Sequence, residues 1–310
     1  MATPPFPDTL HLTLSYFFTA VCTLILSSLL VSAQEMEPRA YSRSPVGTQF
    51  VVFSYGYHSG DVLTDAAIPL DDVNVKLHTG SLGYGRTVGL AKRQANALIL
   101  ATYVKGSASG TVFENLQEVT RSGMGDVRAK FSINLIGGPA LTRKEFATYK
   151  PRALLGASVT VVAPTGQYDP RRLINIGSNR WAFKPEAGLS KPFGKWTVEM
   201  VGGVWLFTTN KEFFGGVERG QKPLLSLQSH VIYTVKPRMW LAFNATYYAG
   251  GRTIINDVVN SDKQSNSRLG ATYSLPITRS QSFKVAFAKG VTARFGGKLT
   301  TIAAAWQYVW

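Results

Sequence analysis

Cysteine is almost absent: the 310 residues hold one, Cys22, inside an apolar run near the N-terminus. A single thiol builds neither a disulfide framework nor a thiolate metal site. Charge is sparse and lopsided, with charged residues at 16%, 33 basic against 18 acidic, and a formal net charge of +15. Histidine is rare as well, at 4, and no cluster of His, Asp and Glu has metal-ligand spacing. After residue 33 no stretch approaches the roughly 18 uninterrupted apolar residues of a spanning helix, which excludes a helical membrane bundle. The basic residues are not gathered into one run, which argues against a nucleic-acid surface.

What is present points elsewhere. Leu10 to Leu30 is mostly apolar and uncharged, and Val31-Ser32-Ala33 then offers small residues before Gln34. Residues 1–33 therefore read as an export signal cleaved after Ala33. No Lys or Arg precedes the run, whereas Asp8 does, so an uncleaved anchor helix is the competing reading. Losing Asp8 with the leader takes the formal charge from +15 to +16. The remaining chain shows no linker-like break, which predicts residues 34–47 as a periplasmic segment or plug and residues 48–310 as one domain.

Period-two patterning runs through that domain. In Thr300–Trp310 one phase carries Ile302, Trp306, Tyr308 and Trp310, and the other Thr301, Ala303, Ala305, Gln307 and Val309. An aromatic edge strand invites aggregation in water but suits a barrel closed in lipid. The pattern also resembles the C-terminal signature of bacterial outer-membrane proteins, with Trp where Phe is usual. Asp126–Leu135, Trp181–Ser190 and Asn266–Leu275 alternate as cleanly, a pattern no helix explains. Weaker runs at Thr48–Tyr57, Val73–Thr87, Gln94–Lys105, Ala153–Ala163, Trp196–Phe207, Leu224–Val235, Met239–Tyr248 and Gln281–Thr292 bring the count to about twelve strands. Ser59–Asp72, Gly106–Gly125, Pro164–Arg180, Thr208–Pro223 and Ala249–Ser265 are long and polar, and short turns separate them. That alternation predicts an all-β, antiparallel, up-and-down transmembrane barrel in the bacterial outer membrane. Ile136–Arg152 breaks the parity, and its Leu141–Tyr149 stretch predicts a brief helix. Tyr55, Tyr57, Trp181, Trp196, Trp240, Tyr248 and Trp306 near strand ends predict aromatic belts.

The inward phase carries the chemistry. Lys76, His78, Arg128, Lys130, Lys184, Glu186, Glu199, His230, Arg268 and Lys284 are predicted to line the lumen and meet solute. A basic wall attracts anions and repels cations. The loop Gly166–Arg180, with Asp169, Arg171, Arg172 and Arg180, is predicted to fold inward as a constriction. Ser226 and His230 share a face, but four residues along a strand is roughly 13 Å, too far for proton transfer. No catalytic residue, cofactor or metal is therefore assigned. A barrel lipid hydrolase and a purely structural barrel are the alternatives.

Glu37-Pro38-Arg39-Ala40-Tyr41-Ser42, Ala163-Pro164-Thr165-Gly166-Gln167-Tyr168-Asp169, Asn179-Arg180-Trp181-Ala182-Phe183-Lys184-Pro185-Glu186, Gly203-Val204-Trp205-Leu206-Phe207 and Thr246-Tyr247-Tyr248-Ala249-Gly250-Gly251-Arg252 carry a family resemblance. They resemble the outer-membrane family labelled "putative MetA-pathway of phenol degradation". The resemblance implies a transporter-like barrel associated with breakdown of aromatic compounds. The combined expectation is a passive channel for small anionic or aromatic solutes. Its partners would be the lipid bilayer, the solute and, through Trp306, Tyr308 and Trp310, the barrel-assembly machinery.

Overall fold

The computed structural model describes residues 36–63, 70–112, 115–172 and 174–310, so the leader expected over residues 1–33 lies outside the described residues. The first strands are β1 (Gln49–Leu63), β2 (Leu70–Leu90), β3 (Arg93–Val112), β4 (Asn115–Met124) and β5 (Val127–Ile136). After the helix α1 (Arg143–Thr148) come β6 (Leu154–Ala163), β7 (Ala182–Phe193), β8 (Trp196–Phe207), β9 (Asn210–Phe213) and β10 (Val217–Gln221). The rest are β11 (Leu224–Lys236), β12 (Met239–Gly250), β13 (Thr253–Ile255), β14 (Val258–Val259), β15 (Gln264–Pro276), β16 (Gln281–Thr292) and β17 (Gly296–Val309).

All strands but β4, β9, β10, β13 and β14 pair antiparallel around one closed sheet, in which β2 meets β3 and β17 returns to β1. This is the expected twelve-stranded barrel, and every strand expected from alternation is a wall strand. Its two faces differ as the pleat requires. Leu82, Met200, Phe243, Leu269 and Ile302 stand more than half exposed on the outside. Thr79, Ser132, Asn134, Thr160, Asn244 and Thr272 are buried on the inside. A protein in water does not sustain so large an apolar surface, whereas hydrocarbon requires it.

The short-turn end holds two-residue hairpins. Ala91 and Lys92 both have positive φ, 47° and 61°, the twist that joins β2 to β3 without splaying them. Pro237-Arg238 joins β11 to β12 with Arg238 at φ 67°, and its guanidinium donates to the carbonyls of Thr278, Arg279 and Gln281 in the next turn. The expected helix is α1, within Leu141–Tyr149. Thr142 caps its first turn and Glu145 reaches back to the Thr142 N–H at 2.8 Å, a capping box.

At the other end the structure departs from expectation. Ser59–Asp72 and Gly106–Gly125 were expected as loops, yet β1, β2, β3 and β4 extend through most of them. The lower part of β3 pairs with β5 (Ala95–Leu100) and its upper part with β4 (Tyr103–Val112). Ser59–Asp72 is rich in Asp and Gly106–Gly125 in Ser, Gly and Thr, so no hydrophobic alternation marks them. Two further loops hold a small sheet, β14–β13–β10–β9. Its hairpin turns at Asn256 and Asp257, with φ 45° and 66°, residue types that tolerate that region.

Trp181 stacks on Phe183, and Tyr308 stacks on both Trp306 and Trp310, all on the outer face. Trp240 and Tyr248 do not join this belt. Both are buried on the lumen side of β12, in phase with the polar Asn244 and Thr246.

Candidate functional site

The bore is built from the polar phase of the wall plus the segment before β1. Residues 36–48 run inside the barrel, anchored at several points. Glu37 accepts from Lys130 Nζ at 2.9 Å. The Arg39 N–H donates to Glu199 Oε2 at 2.7 Å, and its Nη2 to Thr234 Oγ1 at 2.8 Å. The Tyr41 hydroxyl lies 3.1 Å from Ser158 Oγ. Its ring sits against Gly156 and Gly188, which are register partners on β6 and β7. A Cβ on either glycine would overlap that ring, so the pair forms a notch that only glycine leaves open.

A buried ion cluster sits beside this notch. Lys184 Nζ meets Glu186 Oε1 at 2.8 Å, and Lys130 Nζ meets Glu186 Oε2 at 3.4 Å. Lys184 also lies over the Trp205 ring, 5.4 Å from its centroid. Gly203 makes room for the Glu186 and Lys184 stems. The charges are tolerable here because each has an opposite charge within reach.

Of the residues predicted to line the bore, Arg128, Lys130, Lys184, Glu186, Glu199, His230, Arg268 and Lys284 lie on the inward phase of their strands. Lys76 and His78 do not, and this corrects the reading of β2. Val73, Val75 and Leu77 are buried there, and Lys76 and His78 are exposed on the outer face. The cause is that this half of β2 stands where the outside is water, so the apolar phase turns in. His78 instead meets the Tyr55 hydroxyl through Nδ1 at 2.6 Å.

The two inward histidines hold walls together. His58 bridges Thr301 through Nδ1 (3.0 Å) and Thr79 through Nε2 (3.1 Å), and Arg268 Nη2 donates to the same Thr301 hydroxyl. His230 Nδ1 is 2.8 Å from Asn244 Oδ1, whose amide donates to Thr272. That pattern places the Nδ1 proton toward the Asn carbonyl oxygen, a wall contact with no nucleophile in it.

The loop expected as a constriction divides into two parts. Asp169 binds Arg171 at 3.0 Å and Arg172 at 3.2 Å. The Arg171 side chain is 88% exposed, and the trio pairs within its own loop. Hydrogen bonds from Arg171 hold the Asp169 carboxyl below its usual range. Arg180 alone of the four is buried, donating to Gln221 at 2.6 Å and lying 4.4 Å from the Phe207 ring centroid. Asp126 pins the loop through the Gly166 and Ser178 N–H groups, and Ile174 packs on Phe213 and Phe214.

Sequence reasoning did not single out Arg39, Tyr41, Trp205 or Trp240 for the lumen. Parity with Glu199 on β8 and with Asn244 on β12 would have placed both tryptophans inside. Two cavities flank Glu37. The larger, about 480 Å³, opens toward the short-turn end, and a smaller one of about 80 Å³ lies against Arg128, Lys184, Trp205 and Gln228.

Solved structures share this architecture. The COG4313 outer membrane channel from Pseudomonas putida F1 is similar at a TM-score of 0.74 and 22% identity, over 89% of this chain and 100% of that one. The transport unit of the autotransporter AIDA-I from Escherichia coli gives 0.53 and 11%, over 94% and 98%. The translocator domain of the autotransporter NalP from Neisseria meningitidis gives 0.51 and 10%, over 94% and 98%. These identities speak to the fold, which is that of a bacterial outer-membrane barrel. No curated protein matches the chain. The family described as "Putative MetA-pathway of phenol degradation" matches residues 47–303. With most of the barrel inside that match, the chain belongs to the MetA-pathway phenol-degradation family of outer-membrane β-barrels.

Proposed function

We propose that the protein is a passive outer-membrane channel for small anionic or aromatic solutes, narrowed by its own N-terminal segment. The observation that carries this is the charge of the bore. The strand wall contributes Arg128, Lys130, Lys184, Arg268 and Lys284 against Glu186 and Glu199. The segment inside it adds Arg39 and Arg43 against Glu37. Such a wall lowers the barrier for anions and raises it for cations. The family description, with its phenol-degradation context, supports aromatic solutes among those that pass. Residues 36–47 act as the plug, and the outward Trp306, Tyr308 and Trp310 serve as the signal read by the barrel-assembly machinery.

Single-channel recording on refolded protein in planar bilayers tests the reading. The wild-type protein is expected to prefer chloride over potassium, and Arg128→Glu with Lys130→Glu to weaken or reverse that preference. Tyr41→Ala, which empties the glycine notch, is expected to raise unitary conductance several-fold. A bilayer that stays silent with every variant, or a preference indifferent to charge reversal, would sink the channel reading.

A further inference from the structure

The larger cavity has a composition of its own. Its roof is the N-terminal segment at Glu37, Arg39 and Ser44, and its walls come from β1, β3, β5, β12, β15, β16 and β17. Three of its cations are already engaged. Arg43 donates to the carbonyls of Gly137 and Arg152, Arg238 to the turn carbonyls, and Lys130 to Glu37 and Glu186. Two are left with donors to spare. Lys284 makes no ion pair or hydrogen bond among the described residues, and its Nζ stands 6.0 Å from the Trp240 ring centroid. Arg39 lies over the same ring at 5.3 Å, and its Nε is buried with no acceptor.

These groups are placed by register. Trp240 pairs with Ser274, and Ser274 with Lys284, so an indole, a hydroxyl and an ammonium form one row across three neighbouring strands. Phe50 and Val309, themselves register partners, and Leu98 add apolar surface to the same chamber. A volume of about 480 Å³ lies in the range of small-molecule sites, about 300–1,000 Å³. A bare inorganic ion would leave the apolar surface unused, and a neutral solute would leave the spare donors of Lys284 and Arg39 unmet, since Glu37 and Glu199 act on them only at longer range.

We propose that this chamber is a binding subsite for a small monocarboxylate carrying a compact apolar body. The carboxylate lies between Lys284 Nζ and the Arg39 guanidinium with Ser274 as a further donor, and the body rests on Phe50, Leu98 and Val309. The proposal rests on the channel reading and names the solute class that such a channel would hold in transit.

Isothermal titration calorimetry on the full chain in detergent tests it, with benzoate as probe. Benzoate is expected to bind saturably at one site. Benzamide, which lacks the charge, and acetate, which lacks the body, are each expected to bind at least about tenfold more weakly. Lys284→Met is expected to lose about tenfold in benzoate affinity and to leave benzamide binding alone, and Lys284→Arg to keep most of it. Circular dichroism and heat-modifiable migration verify that each variant is folded. Absence of saturation by benzoate, equal binding of benzamide, or wild-type affinity in folded Lys284→Met would each overturn the subsite. Chloride conductance by unmodified protein that fails to bind benzoate would reject the subsite alone. Benzoate binding by a protein silent in bilayers would reject the channel and keep the subsite.

Discussion

The two halves of β2 obey opposite rules although they are one continuous strand. From Thr79 to Leu90 the buried positions are Thr79, Ser81, Gly83, Gly85 and Thr87, and the outer ones include Leu82 and Tyr84. From Val73 to Leu77 the buried positions are Val73, Val75 and Leu77, and the outer ones include Lys76. The pleat is the same throughout. Only the medium against the outer face changes, from hydrocarbon to water, and it decides which phase is polar. An apolar residue faces out beside lipid and in beside water.

This contrast makes predictions of graded size. The largest concerns a polar inward side chain at lipid level. Glu186→Gln strips Lys184 of a buried counter-charge, and equilibrium unfolding in vesicles should show a loss of about 3–5 kcal/mol. A wild-type unfolding midpoint would mean that water, not Glu186, carries the lysine charge. Next comes a charge placed toward lipid on the same strand as a tolerant site. Leu82→Arg should cost up to about 2–4 kcal/mol, while His78→Arg, beyond the hydrocarbon, should cost about 0–1 kcal/mol. Equal penalties at the two sites would abolish the distinction between the halves. The smallest effect is at the short-turn end, where water rules on all sides. Thr142→Ala removes the cap of α1 and should cost the helix about 1 kcal/mol, read by amide exchange over residues 143–148. The cap bonds lower the Glu145 pKa in the folded protein. The stabilisation from Glu145 is therefore present above its unfolded pKa and fades as pH falls through the folded one. Exchange that is flat across the acidic range would contradict the capping box as its source.

Lipid also explains what the sequence made legible. Wall strands such as β5 alternate without error because one face meets hydrocarbon, and the closed architecture follows from them. Trp240 and Tyr248 were misplaced because aromatic character was weighed above parity with Asn244 and Thr246. Lys76 and His78 were misplaced because polar character was weighed above parity with Thr79 and Ser81, which occupy the other phase of β2. The notch that receives Tyr41 depends on Gly156 and Gly188 meeting across two strands, and adjacency between residues 41, 156 and 188 is a product of register rather than of spacing. Asp169 was expected in the bore, but two arginines two and three residues away satisfy it locally.

The seam between β1 and β17 runs from Phe50 and Val309 to Leu63 and Gly296, and the Gln49 and Trp310 main chains exchange hydrogen bonds at its foot. It joins the most distant pair of wall strands along the polypeptide, so its closure spans the longest stretch of chain of any ladder in the wall. A chain truncated before Gly296 leaves the facing edges of β1 and β16 without their β17 partner. Without β17 the wall keeps two open strand edges, which water tolerates and hydrocarbon does not.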